Sequence, residues 1–443
     1  MVERAVDARS AVGGPAIDGE DDASDAGLAG LGPSTVAVAR DRLATWSAFL
    51  DRPLTSYYLI VGITGLLLGL GLVMVLSTSS VQDLAEGLPP YSDFKKQLLG
   101  ALIGLPIMFL AARSSPRLFR AAAYPLLGVS ILGLGLTLIP AVGRSAYGAS
   151  RWIAVGPLQL QPSEFAKLAL VLWGADLLAR KERLGQLEDW RHLLIPLLPG
   201  VGLLAMLVMA GDDLGTTFVL LVIFITLLWV IGTPGRVFGG MLALMGLVML
   251  LLAVTSAYRL KRLTGFVNQQ GSPMGPNMQG IQGKYAVGSG GLFGVGLGAS
   301  GEKWGYVPES TSDFIFAILG EELGLVGTLC VCLLYGGLAF AGLRVARRVQ
   351  DTFSRLAAAA ITAWVVMQAV VNIGAVIGVL PITGVPLPLV SAGLSSLLVT
   401  MVALGMLMSF ARREPGAREA LAARGPALPL RLLSWLGLTR RPD

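Results

Sequence analysis

The sequence predicts an all-α polytopic membrane protein of about ten transmembrane helices, with a large extracytoplasmic loop between helices 7 and 8. Three observations predict it. Hydrophobic residues make up 54% of the 443 and charged residues 14%, against roughly 45–50% and about 25% in a soluble globular chain. Glycine is abundant at 57 residues, and glycine is more frequent in transmembrane than in soluble helices. Ten apolar runs approach the ~20 residues that cross ~30 Å of hydrocarbon.

The runs lie at 57–77, 94–112, 121–140, 163–180, 193–210, 215–232, 236–257, 323–343, 356–380 and 390–411. The second is short, and Lys95 and Lys96 at its end can snorkel to the interface. The stretch 312–343 would reach about 48 Å as one straight helix. Gly320 and Gly324 offer a break, so 312–322 reads as a short helix in the outer loop region and 323–343 as the span. Lys and Arg in short loops set orientation. Arg113, Arg117, Arg120, Arg180, Lys181, Arg183, Arg191, Arg236, Arg344, Arg347, Arg348 and Arg355 fall in alternate connections. Those connections and both termini are expected to be cytoplasmic. The loops 78–93, 141–162, 211–214, 258–322 and 381–389 are then outside.

Residues 1–52, with the acidic cluster DGEDDASD, cannot bury enough apolar surface to order themselves and read as a disordered cytoplasmic tail. No cleavable signal peptide is visible. Residues 53–412 form the ten-helix membrane domain. Residues 413–443 form a cytoplasmic tail whose LPLRLLSWLGLTRR suits either a helix on the inner leaflet or a disordered segment. The net charge of +6 reflects the inner-face arginines and gives no reason to invoke nucleic acid. Cys330 and Cys332, two residues apart, point to different helix faces, so core packing is expected rather than a disulfide. His192 has no His or Cys neighbour, which excludes a His-rich metal site.

Polar residues in unusual places all fall on the outer side. In QPSEFAK, Pro162 suits a first helical turn and Glu164 is favoured by the helix dipole. Glu164 and Lys167, three apart, can pair. They form a helix-start ion pair or, because Lys167 would lie about a turn inside the membrane, a functional charge. Asp213 before LGTT is a good N-cap or a site carboxylate. Asp313 has the same two readings, with Thr311 or Ser312 as the cap. Glu321 and Glu322 suit pairing with loop arginines or lining a cavity wall better than chemistry. GGLFGVGLG at 290–298 has the glycines of a dinucleotide loop, but no strand precedes it; it reads as a flexible, membrane-skimming loop. Five separated segments converging on one face predict an extracytoplasmic site.

Several motifs occur in order over roughly 55–412. They are Arg151-Trp152-Ile153, Gln161-Pro162-Ser163-Glu164 with Lys167, Asp213-Leu214-Gly215-Thr216, and Tyr258-Arg259. Gly290 through Gly298 and Lys303 follow. Then come Pro308-Glu309, Asp313 through Ala317, Gly320 through Gly324, and Pro388 through Ser391. Together they resemble the SEDS family (shape, elongation, division and sporulation), and its division type more than its elongation type because Gly320 precedes the two glutamates.

The resemblance implies an enzyme that polymerises lipid II into peptidoglycan glycan strands on the outer face of a bacterial cytoplasmic membrane. It implies work beside a class B penicillin-binding protein and other division proteins. The family's essential carboxylate falls on Asp313, and its Glu and Lys fall on Glu164 and Lys167. Substrate-binding roles are expected for Arg151, Trp152, Gln161, Ser163, Asp213, Tyr258, Arg259, Lys303, Glu309 and Ser391. Three places depart from the family pattern: Asp212 stands for a usual proline, Ser310-Thr311-Ser312 for a His- or Asn-containing stretch, and SAGLSS for Ser-Tyr-Gly-Gly-Ser-Ser. They weaken any role for Thr311 and Ala392 and leave Asp313 untouched.

The chemistry fits these residues. Asp313 would take the proton of an attacking sugar C4 hydroxyl. Arg151, Lys167, Arg259 and Lys303 would stabilise the lipid-linked pyrophosphate as it leaves. A divalent cation, Mg or Mn, on Asp313 or Asp213 is compatible with the sequence, which does not decide it. A flippase or transporter of lipid-linked precursor, or a division scaffold without activity, are the rival readings. Polar motifs gathered on one face, without a convincing internal repeat, favour the enzyme.

Overall fold

Each predicted apolar run falls largely on a helix of the computed structural model, which describes residues 52–423 except 86, 88, 90, 141, 147–148, 156–157, 186–188, 256–259, 261–265 and 267–277. The chain divides into a unit Met1–Thr55 and a unit Ser56–Asp443; apart from Thr55, the first residue of α1, the features below belong to the second. Its elements are α1 (Thr55–Ala85), α2 (Ser92–Arg113), α3 (Pro116–Thr137), β1 (Gly143–Ala146), β2 (Ala149–Val155), β3 (Leu158–Leu160) and α4 (Pro162–Arg183). Then follow α5 (Trp190–Leu194), α6 (Leu197–Ala210), α7 (Leu214–Val230), α8 (Gly235–Val254), α9 (Met278–Ser289), α10 (Ile315–Arg348), α11 (Thr352–Val376), α12 (Leu394–Ala411) and α13 (Ala417–Ala423). This is a helical, multi-pass membrane protein.

Among the described residues, eight helices are long and apolar enough to cross a membrane. Two predicted spans fall outside that set for different reasons. Helix α7 is apolar but has 17 residues. Helix α4 has 22 residues but carries Glu164, Lys167, Asp176, Arg180 and Lys181. Apart from Arg180, which is exposed at the end of the helix, these charges are tolerated because protein surrounds them: α4 packs on α3, α6, α7, α11 and α12, and most of its side chains are buried. Charge at membrane depth survives where it faces the interior of a bundle.

Helices α2 and α12 approach through glycine. A Cβ at Gly104 would lie 2.4 Å from Met401 Sδ, and one at Gly405 would lie 2.4 Å from the Met108 carbonyl. Small residues at such positions let membrane helices close on each other. Gly71 on α1 does the same for a loop, since a Cβ there would meet the Leu389 carbonyl at 2.4 Å. The connection before α12 can therefore lie flat against α1.

Two outer segments differ from expectation. Residues 141–162 are not a plain loop: they form a three-stranded antiparallel sheet in the order β1-β2-β3, with Ile153 opposite Leu160 and Ala154 opposite Gln159. The 290–298 segment is tied to a helix. Its backbone pairs with α10, from Val295 N to the Glu321 carbonyl (3.0 Å), Gly296 N to Glu322 (3.1 Å), and Leu325 N back to Gly291 (2.9 Å). Leu292, Phe293, Val295 and Leu297 remain exposed, as a membrane-skimming surface requires.

That pairing depends on the predicted break in α10, which occurs at Gly324 with φ 68° and ψ −163°. This conformation is essentially open to glycine alone. A Cβ there would also lie 2.3 Å from Gly294 N. Gly324→Ala is therefore expected to destabilise the protein by about 1–3 kcal/mol and to lower its thermal midpoint in detergent. An unchanged midpoint would show that the kink does not need glycine.

Other expectations resolve simply. Cys330 and Cys332 are free and exposed rather than in the core. His192 bonds Asp189 at 2.8 Å beside the α5 N-terminus. The acidic N-terminal tail up to residue 51 and the LPLRLLSWLGLTRR segment lie outside the described residues, as do Tyr258 and Arg259.

Candidate active site

Asp313 sits in a turn just before α10, and the surrounding bonds fix that turn from three sides. Glu309, at φ 57°, opens it. The Glu309 carbonyl accepts the amides of Ser312 (3.2 Å) and Phe314 (3.1 Å), and its carboxylate accepts the Ser312 hydroxyl at 2.6 Å. The expected cap at Thr311 or Ser312 is not formed; Phe314 occupies the cap position without a side-chain bond. Phe314 is buried against Gly283 of α9, where a Cβ would come within 2.7 Å of its ring. A left-handed non-glycine residue such as Glu309 is a strained conformation that persists where its surroundings over-determine it.

The second clamp is the 381–393 connection. Ser391 Oγ donates to the Ser312 carbonyl (2.6 Å), and the Ala392 amide donates to the Thr311 carbonyl (2.9 Å). Gln97 of α2 holds this connection at both polar ends, donating to the Ser391 carbonyl (3.0 Å) and accepting from Gly393 N (3.1 Å). The third clamp is Asn372 of α11, whose Nδ2 donates at 2.8 Å both to the Asp313 carbonyl and to the Val385 carbonyl.

Glu164 and Lys167 pair at 2.8 Å, with side chains 2% and 1% exposed. The pair is therefore interior rather than a surface start-of-helix pair. Lys167 Nζ also donates to Gln368 Oε1 at 3.0 Å and lies 5.1 Å above the Trp364 ring, a favourable place for an ammonium. Glu164 Oε2 is buried with no hydrogen-bond partner among the described residues.

Asp213 is a true N-cap: its carboxylate accepts Thr216 N (3.0 Å) and Thr216 Oγ1 (2.8 Å). It also accepts Gln161 Nε2 at 3.4 Å, so the cap belongs to the same cluster as QPSE. Arg151 on β2 donates to the Asp212 carbonyl. Arg151, Ser163 and Asp213 line a void of about 10 Å³, roughly the room of one water. Trp152, also on β2, stands opposite Arg144 of β1 and is half-buried.

Lys303 belongs to a different cluster. Its ammonium meets Glu322 (3.2 Å), Ser77 Oγ (3.2 Å) and the Gly298 carbonyl (2.7 Å). Glu322 thus pairs with a loop lysine rather than an arginine. Glu321 accepts the Gly301 amide (2.9 Å) and the Ser300 hydroxyl, holding the 300–302 turn. Nearby Glu302 has its carboxyl pushed above the ordinary range by burial and by the Glu321 charge. A cavity of about 500 Å³ opens here, lined by Ser77, Ser80, Tyr91, Phe94, Lys95 and Lys303. Lys95, expected only to snorkel, lines it with no ion pair among the described residues.

The described segments singled out in the sequence thus converge at one end of the helices. Sequence reasoning missed Gln97, Gln368 and Asn372. Their signal was available: each is an uncharged amide within an apolar helix, and such groups in membrane helices mark interhelical hydrogen bonds. Among the described residues, no three His, Cys, Asp or Glu side chains gather to hold a metal ion.

Residues 57–415 match the cell cycle protein family of FtsW, RodA and SpoVE. A Mycobacterium tuberculosis protein named probable peptidoglycan glycosyltransferase FtsW is 42% identical over 386 residues, 87% of this chain and 72% of its own length. Stage V sporulation protein E of Bacillus subtilis is 39% identical over 356 residues, 80% of this chain and 96% of its own. A chain from a structure described as "Structural coordination of polymerization and crosslinking by a peptidoglycan synthase complex" superposes with TM-score 0.65 and 28% identity, covering 80% of this chain and 96% of that one. The rod shape determining protein RodA of Thermus thermophilus superposes with TM-score 0.58 and 28% identity, over 80% and 96%. Motifs, fold and relatives agree, and the chain belongs to the FtsW/RodA/SpoVE family of cell cycle proteins, the SEDS proteins its motifs resemble.

Proposed function

We propose that this chain is a septal peptidoglycan glycosyltransferase that polymerises lipid II into glycan strands, with Asp313 as general base. Family membership and the names of its relatives support the activity. The observation that supports the residue assignment is the triple clamp on the Asp313 turn. A base must sit within hydrogen-bond reach of the proton it takes, and a fixed backbone lowers the entropic cost of holding it there.

In the proposed reaction, the C4 hydroxyl oxygen of the acceptor sugar attacks the anomeric carbon of the growing strand. Asp313 takes the hydroxyl proton, the carbon–oxygen bond to the lipid pyrophosphate breaks, and the lipid pyrophosphate leaves with the bonding pair. The single displacement inverts the anomeric carbon. The cavity beside α1 and α2, with Lys95 and the two serines, suits a pyrophosphate with an apolar tail along Leu76 and Phe94. Lys303 is neutralised by Glu322, so Lys95 is the stronger electrostatic partner for a phosphate there. Lys167, buried and paired, organises the site rather than touching the leaving group. A Mg²⁺ or Mn²⁺ ion at Asp313 or Asp213 would need substrate phosphate oxygens to complete its shell, and no step above is routed through one.

The active end faces outward and both termini face the cytoplasm in this reading, with ten membrane crossings. The partner is a class B penicillin-binding protein, which crosslinks what this chain polymerises. The test is reconstitution of the chain with that partner and lipid II, followed by gel separation of glycan. Wild type is expected to give long strands and Asp313→Ala none. Wild-type polymerisation by Asp313→Ala would remove the base assignment, and no glycan from wild type would bring the transporter and scaffold readings forward.

A further inference from the structure

Helix α11 presents three side chains, Trp364, Gln368 and Asn372, at intervals of four residues on one face. All three are buried, at 0%, 0% and 2% exposure. Gln368 uses both ends of its amide. Its Oε1 accepts Lys167 Nζ at 3.0 Å and Trp364 Nε1 at 2.9 Å. Its Nε2 donates to the Pro386 carbonyl at 2.9 Å. One turn further, Asn372 donates to the Val385 carbonyl and to the Asp313 carbonyl, both at 2.8 Å.

These bonds form a continuous route. It runs from the Glu164–Lys167 pair through Gln368 to Pro386, along one residue of backbone to Val385, and through Asn372 to Asp313. The same connection reaches the Asp313 turn a second time, because Ser391 Oγ accepts Leu387 N (2.8 Å) and donates to the Ser312 carbonyl (2.6 Å). Pro386 has no amide proton, so its carbonyl is its one backbone polar group; Gln368 grips it while Asn372, one turn on, grips the neighbouring Val385 carbonyl. The Gln368 amide makes three bonds, two at Oε1 and one from Nε2, and so links the buried lysine to the connection, which a space-filling side chain would not do.

We infer that Gln368 is a positioning residue for the polymerisation reaction, setting the Asp313 turn by tying the buried Lys167 ammonium to the Pro386 carbonyl. The inference rests on the reading of Asp313 as the base. Gln368 touches no substrate itself; it acts through the loop.

The experiment compares wild type, Gln368→Met, Gln368→Glu and Asp313→Asn, each purified with the partner transpeptidase. Amide hydrogen exchange and the lipid II polymerisation constants are read on the same preparations. Gln368→Met keeps the volume and removes every hydrogen bond. It is expected to speed exchange of the 309–314 and 385–392 amides by roughly fivefold to tenfold while leaving 290–298, anchored on α10, unchanged. Its kcat should fall by about 10²-fold, the scale of an ångström of misplacement, with KM within about twofold of wild type.

Gln368→Glu keeps the acceptor side toward Lys167 and loses the donor to Pro386. It should speed exchange at 385–392 and lie between wild type and Gln368→Met in kcat; if Gln368→Met does not fold, this variant decides. Asp313→Asn should lose activity with wild-type exchange, which separates the two readings. If Asp313→Asn stays active, the base assignment fails while the exchange data still decide whether Gln368 sets the turn. Wild-type exchange at 309–314 in Gln368→Met, or wild-type kcat, overturns the inference.

Discussion

Asp313→Asn is expected to stop glycan polymerisation, by about 10²- to 10⁴-fold, in a protein that remains folded. The substitution is nearly isosteric; it removes the negative charge and with it the capacity to accept a proton. The clamps leave this comparison clean because they use the backbone. Asn372 holds the Asp313 carbonyl, Ser391 holds the Ser312 carbonyl, and Glu309 holds the Phe314 amide. None of these bonds involves the carboxylate being changed. The turn should therefore persist in the variant, read as wild-type amide exchange at 309–314.

Asp313→Glu gives the complementary result. It restores a base on a longer stem, and a displacement of about an ångström in a fixed turn is worth about 10²-fold. Recovery of a small part of the rate would show that position and proton acceptance both count. Full activity in Asp313→Asn would leave the residue as a turn former and send the search for a base to Glu164, whose Oε2 has no partner among the described residues.

Much of this arrangement was legible in the sequence because hydrophobicity dictates membrane architecture. The apolar runs located the helices, and the length of 312–343 with its glycines located the kink at Gly324. The described polar segments gather at one end of the helices, since in lipid every exposed polar group needs a reason to be there. What was not legible depends on partners distant in sequence. Gly290, Gly294 and Gly324 are three glycines in a glycine-rich chain until their backbones are seen in contact. Lys303 and Glu322 are 19 residues apart, and Ser77 joins them from 226 and 245 residues away. Gln368 was missed because two of its three partners, Lys167 and Pro386, lie on other elements.

The sheet was missed for another reason. Trp152 through Val155 and Leu158 through Leu160 are two short runs flanking Gly156-Pro157, a hairpin signal. In so apolar a chain the long runs on either side outweigh that signal, and the segment reads as a loop between spans.

Lys167→Met is the second large effect expected, and it falls on stability as well as rate. The Glu164–Lys167 pair is among the most deeply buried charges described, at 2% and 1% exposure. Removing one member of a buried pair leaves an uncompensated charge and costs about 3–5 kcal/mol. Here Glu164 Oε1 would lose its lysine while Oε2 has no partner among the described residues to take over, and Gln368 Oε1 would keep only the Trp364 donor. The thermal midpoint should drop sharply.

The double variant Glu164→Gln/Lys167→Met separates the two roles of the pair. It removes both charges together, so most of the lost stability should return, because replacing a whole buried pair by uncharged groups is often neutral. Polymerisation should not return with it, since the Gln368 route to the Asp313 turn still begins at a side chain that can no longer donate. Recovery of rate along with stability would mean that the pair serves the fold alone. A stable, inactive double variant would mean that two charges were retained inside the membrane for the sake of the carboxylate at 313.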